Sequence, residues 1–139
     1  AVNVEIQAIN EIAIAGDVTL SVSSATAGSD PTAATGATTY AITTNDNGGT
    51  TRITASTSVD PATLGDGPAN DLALSVAATA PSGGTSAGSV TLGTTAANVV
   101  TAMAAVSESG VALGYTLTAT AETGQLTSTA ITVTYTIVN

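Results

Sequence analysis

The chain has 139 residues and a formal net charge of −9, from ten acidic residues against one basic side chain, Arg52. It contains no His, Cys, Lys, Trp or Phe, which removes Ser–His and Cys–His nucleophiles, Schiff-base lysines, zinc centres and disulfides. One cation cannot track a phosphate backbone, so nucleic acid is not an expected partner, and no apolar run reaches the roughly 18 residues that span a membrane.

The opening segment, AVNVEIQAINEIAIAG, places Val2, Val4, Ile6, Ala8, Ile12 and Ile14 on even positions. That period of two predicts one long strand, or two with a break near Ile9–Asn10. A second strand is predicted over Asp17–Ser24, with Val18, Leu20 and Val22 inward. A loop of small residues covers 25–37, and Tyr40 and Ile42 mark a short strand. The run Asn45-Asp46-Asn47-Gly48-Gly49 predicts a turn, because Asn and Gly tolerate positive φ. A strand follows around Ile53, then a loop between Val59 and Asn70.

Leu72, Leu74, Val76 and Ala78 alternate again, Pro81–Gly84 breaks the pattern, and Val90 and Leu92 start another strand. Near residues 95–106, Val99, Val100, Met103 and Val106 fit one helical face, with Thr94 or Thr95 as N-cap, and predict one short helical crossover. At the C-terminal end, Val111, Leu113, Tyr115, Leu117 and Ala119 alternate with small residues, and Ile131, Val133, Tyr135 and Ile137 with Thr. With a turn at Glu122–Gln125, these read as a two-stranded ribbon with one apolar face. Tyr115 sits where a tyrosine corner occurs in immunoglobulin-like sandwiches. The elements together predict an all-β protein: an immunoglobulin-like or jelly-roll antiparallel β-sandwich of about eight strands.

Few residues are equipped for chemistry. Asp66 with Asp71, and Glu108 with Glu122, are the available carboxylate pairs, and all four fall in predicted turns. Oxygen-rich stretches at Asn45–Asn47 and Asp66–Asp71 are the only places for calcium, and neither has the spacing of a calcium loop. The Gly-rich stretches Asn47–Gly49 and Ser82–Gly88 lack the Lys of a phosphate loop. No catalytic residue, metal or cofactor is therefore expected. Only 8% of residues are charged, so the surface is hydroxyl and amide, which suits secreted or cell-surface material, and its many Ser and Thr offer attachment points for surface glycans. A start at Ala1 rather than Met fits a mature chain after signal-peptide removal.

The functional lead is the N-terminus itself. A free terminus normally frays, yet here apolar alternation begins at Val2. The expected organisation is a donor strand over 1–9 and a sandwich over 10–139. Val2, Val4, Ile6 and Ala8 would then be the residues that complete a neighbouring copy. A head-to-tail contact of this kind makes a homopolymer. In this strand, in the final TAITVTYTIV strand and in being Cys-free and Thr/Ala-rich, the chain resembles small secreted fibre subunits of prokaryotes. These are the biofilm-matrix fibre proteins and archaeal bundling pili that polymerise by donor-strand complementation. The resemblance implies a structural, non-enzymatic extracellular subunit. The alternatives are a carbohydrate-binding or adhesin sandwich, a surface-layer module, and an ice-binding array of Thr116, Thr118, Thr120, Thr132, Thr134 and Thr136.

Overall fold

The computed structural model describes all 139 residues and is built from nine strands and two short 3₁₀ turns. The strands are β1 (Asn10–Ile14), β2 (Ala34–Thr44), β3 (Thr51–Thr57), β4 (Ala73–Ala78), β5 (Thr85–Ser86), β6 (Ser89–Thr91), β7 (Ala97–Met103), β8 (Val106–Thr118) and β9 (Val133–Val138). They form two antiparallel sheets, one in the order β1-β2-β8-β4-β6 and the other β5-β7-β3-β9. The alternation that predicted strands now has a direction: Ile42 and Tyr40 of β2, Ile53 and Ala55 of β3, Leu74, Val76 and Ala78 of β4, and Leu113 and Tyr115 of β8 point into one shared core. The all-β sandwich expected from the sequence is what the chain forms. No helix is long and apolar enough to cross a membrane.

The predicted helical crossover near residues 95–106 is instead strand β7. Its pairing with β3 slips twice, between Thr51 and Ile53 and between Ile53 and Thr54. The slips let two consecutive residues, Val99 and Val100, both bury completely, and Met103 joins them after Ala102 takes a positive φ of 55°. Two β-bulges in a strand thus mimic the 3.6-residue repeat of a helix. A second bulge device sits in β8. Between the pairs Tyr40–Val111 and Ile42–Glu108 the register shifts, with Gly110 at φ 68°, a conformation costly for any residue with a Cβ. It switches the inward set of β8 from even to odd numbers.

The predicted C-terminal ribbon is also corrected. β8 and β9 lie in different sheets and do not pair, so the connection is an arch, not a hairpin. Its first part is tied to the loop before β4. Both Asp71 carboxylate oxygens accept hydrogen bonds, from the hydroxyls of Thr120 and Thr123. Gly67 and Ala69 donate backbone N–H to the carbonyls of Thr123 and Glu122. Gly67 is required there, because a Cβ would meet the backbone of Glu122, Thr123 and Gly124. The Asn45–Gly49 turn is likewise an arch, from β2 to β3. Asp46 holds it by accepting from the Gly48 N–H and from the Thr51 hydroxyl, each at 2.9 Å.

Residues Asp17–Ser24, predicted as a strand, belong to no ladder. Their alternation survives: Val18, Leu20 and Val22 are half-buried while Asp17, Thr19 and Ser21 are exposed. The register of β1 on β2 would set Val18 beside Gly36. There the Val18 and Leu20 side chains lie over Gly36, which has no Cβ to collide with them.

Candidate functional site

The N-terminal segment was singled out by its alternation, and the structure places it outside the sandwich. Residues 1–9 belong to no strand. Val2, Val4 and Ile6 are 88%, 90% and 87% exposed, and Ala8 is exposed too. The reason is geometric. β1 pairs with β2 up to Asn10–Thr44, and β2 then ends in the arch to β3, so residues 1–6 find no strand to pair with.

The last contact is made by Asn45. Its side-chain carbonyl accepts from the Ile9 N–H at 2.8 Å, its side-chain NH₂ donates to the Gln7 carbonyl at 2.7 Å, and its own backbone N–H donates to the Ile9 carbonyl at 3.2 Å. One Asn thus acts as a final rung and sets the direction in which residues 1–6 leave the domain. The sequence marked Asn45 only as a turn former; its role as a clamp depends on the end of β2 and left no local signal. Asn10 is held by Thr44 instead, whose hydroxyl donates to the Asn10 side-chain carbonyl at 2.7 Å.

The exposed segment is apolar on one side and polar on the other. Val2, Val4, Ile6 and Ala8 share the even side, and Asn3, Glu5 and Gln7 share the odd. A row of large aliphatic side chains in water is uncommon at this density.

A second unfinished feature is the side of the sandwich where β1 and β9 approach each other without pairing. β9 pairs only with β3, and its inward residues Val133, Tyr135 and Ile137 are half-buried although their ladder partners Thr57, Ala55 and Ile53 are fully buried. Residues 16–23 and 126–131 form no backbone–backbone hydrogen bonds. The whole chain makes 55 such bonds, where a domain of this length forms roughly 90–100. The one buried side-chain oxygen without a partner, Thr57 Oγ1, is directly across the ladder from Val133.

The residues with chemical capacity are otherwise engaged in structure. Asp66 Oδ1 accepts from the Gln125 N–H at 2.5 Å, and Glu108 Oε2 accepts from the Ser82 N–H at 2.8 Å. No three acidic residues gather where a metal would be held. Hydrogen bonds from Thr120 and Thr123 hold the Asp71 carboxyl below the usual range, and the Gly48 N–H and Thr51 hydroxyl do the same for Asp46. Tyr115 does not make a tyrosine corner. Its hydroxyl meets that of Tyr135 at 2.5 Å, joining the two sheets, and burial raises the pKa of both. Tyr40 donates to the Thr79 carbonyl at 2.6 Å, and burial, with the nearby Glu108 charge, pushes it up to about 12.

Two of the alternative sites are dispersed by this geometry. Thr116, Thr118 and Thr120 follow one sheet while Thr132, Thr134 and Thr136 follow the other, so they do not form one flat array. None of the three Tyr is an exposed platform for a sugar ring. A surface depression of about 300 Å³ between β1, β2 and β8 is shallow and lined by Glu11, Thr43, Ser107 and Ser109 among others. Comparison with known protein families, with curated proteins and with solved structures gives no match, so the reading of this chain rests on its own geometry.

Proposed function

We propose that this protein is the structural subunit of a non-covalent extracellular filament, pilus-like or matrix-forming. Each copy donates its N-terminal strand to the next by β-strand addition. The observation that carries the reading is the exposure of Val2, Val4 and Ile6 on a segment that extends past the end of β2 and has no partner within its own chain. A strand with one apolar face and unpaired N–H and C=O groups over residues 1–6 is a template for another sheet. Donation from one end to a different surface is heterologous and does not close, so it propagates.

The composition supports the same reading. A chain without thiols, with one basic side chain and a surface of hydroxyl and amide, offers little to oxidise or to cleave after basic residues. Its partner is another copy of itself, and no cofactor enters. The test is removal of residues 1–9, which lie outside the nine strands. The shortened chain is expected to remain folded and monomeric while the full chain forms filaments under the electron microscope. Filaments of normal appearance from the shortened chain would end this proposal.

A further inference from the structure

The geometry points to the seat for that strand: the half of the open side bounded by residues 17–24 on one sheet and by Ile131–Tyr135 on the other. It is occupied by residues 2–8 of a second copy. This inference rests on the strand-donating function proposed above and adds where the strand goes, in which direction, and with which face inward.

The first argument is unpaired backbone. Ser58 donates its N–H to the Thr132 carbonyl, so Thr132 and its even-numbered successors in β9 point their N–H and C=O at β3. The odd residues, Ile131, Val133 and Tyr135, point theirs away from it, to the side where β9 has no ladder partner. Across that side, residues 16–23 have no backbone partner either. Neither stretch is a surface loop of polar residues. Val18, Leu20, Ile131, Val133 and Tyr135 all pack partly against the core, which is the pattern of a core with one strand missing.

The second argument is polarity. Asn10 pairs with Thr44, and the Thr51 hydroxyl contacts Asn139, so residues 1–9 leave at the end of the sandwich where β1 and β3 begin and β9 finishes. The half-open stretch lies at the other end, where Gly36 faces Val18 and Thr57 faces Val133. Copies stacked in one orientation along the strand axis therefore bring the donor of one copy to the open end of the next. A donor continuing the line of β1 then runs antiparallel to β9, the orientation every ladder in this protein already uses.

The third argument is fit. Val2–Ile6 at ~3.3 Å per residue spans about 17 Å, a match for the five residues Ile131–Tyr135 that bound the seat. Even-numbered donor residues facing the core would set Val2, Val4 and Ile6 against Val133, Tyr135 and Leu20, leaving Asn3, Glu5 and Gln7 in water.

The absence of Cys makes the test direct. In the full chain, Val4→Cys is combined with Val133→Cys, with Ile131→Cys, or with Ser86→Cys on β5, the far edge of the same sheet, and each is treated with a short bis-maleimide. The seat predicts covalent dimers and longer ladders from the Val133 or Ile131 pairing at least about ten-fold above the Ser86 pairing, a 1.4 kcal/mol preference. Ladders no stronger than the Ser86 control, or only internally linked monomers, overturn the seat. Val133→Pro removes one outward N–H without touching the β3 ladder and is expected to raise the concentration needed for assembly about ten-fold. If it assembles like the parent, the seat is wrong. Filaments that need residues 1–9 but link to Ser86 would leave the strand-donating function standing and move the seat. Filaments that do not need residues 1–9 would remove both.

Discussion

Ile6→Ser separates folding from assembly. Ile6 is 87% exposed and belongs to no strand of its own domain, so its replacement should change the unfolding free energy of the isolated chain by no more than about 0.5 kcal/mol, the usual range for surface sites. In an assembled strand the same side chain leaves water. Burial of an aliphatic side chain contributes about 1.5–3 kcal/mol, so each junction should weaken by roughly 10- to 150-fold. The contrast is Val99→Ala in the core, a residue with no exposure, which should lower folding stability by roughly 2 kcal/mol or more and leave the junction alone. Urea unfolding of dilute protein reads the first quantity, and the critical concentration from sedimentation reads the second. If Ile6→Ser destabilised the dilute chain by more than 1 kcal/mol, Ile6 would be buried within its own domain. If it left the critical concentration unmoved, the strand would carry no assembly energy. Either result refutes the reasoning.

Three further predictions concern the sandwich. Thr57→Val removes the one buried side-chain oxygen without a partner and should raise stability by about 1 kcal/mol, or ~2–4 °C in Tm by differential scanning calorimetry. Gly67→Ala drives a Cβ into the backbone of Glu122–Gly124 and should cost about 1–3 kcal/mol in urea unfolding, since neither side can yield by rotating a side chain. Alkaline titration should leave stability level up to the ordinary tyrosine pKa near 10 and lower it above. The unfolded chain ionises there first, while Tyr40 holds its proton until about 12 and Tyr115 and Tyr135 are also raised. Over that window each such Tyr removes about 1.4 kcal/mol per pH unit. Tyrosinate absorbance that rises near pH 10, ahead of loss of β-structure, would contradict it.

The sandwich was legible because its strands keep strict alternation: Leu72 to Ala78, Val111 to Leu117 and Val133 to Ile137 each lie where the period of two puts them. What misled was any place where the period breaks. Val99-Val100 with Met103 looks helical in one dimension, and only the slipped pairing with β3 shows two bulges. The Asn45–Gly49 and Glu122–Gln125 turns were recognisable as turns, but local chemistry does not say whether a turn returns to its own sheet or crosses to the other. That is decided by distant ties such as Asp71 to Thr120 and Thr123. At the N-terminus the alternation of Val2, Val4 and Ile6 was plain, whereas their lack of a partner in their own chain depends on β2 ending at Thr44, far away in sequence. The open side beside Val133 and Val18 left no sequence signal, because an unpaired strand edge carries the same side chains as a paired one.

Amide hydrogen exchange across residues 2–8 tests the central claim most directly, by comparing dilute monomer with assembled protein. The account predicts exchange at the free-chain rate in the monomer and slowing of at least about a hundred-fold on assembly, because amides on both edges of the strand gain backbone partners. Free-chain rates for residues 2–8 in the assembled protein, or protection already present in the dilute monomer, would contradict it.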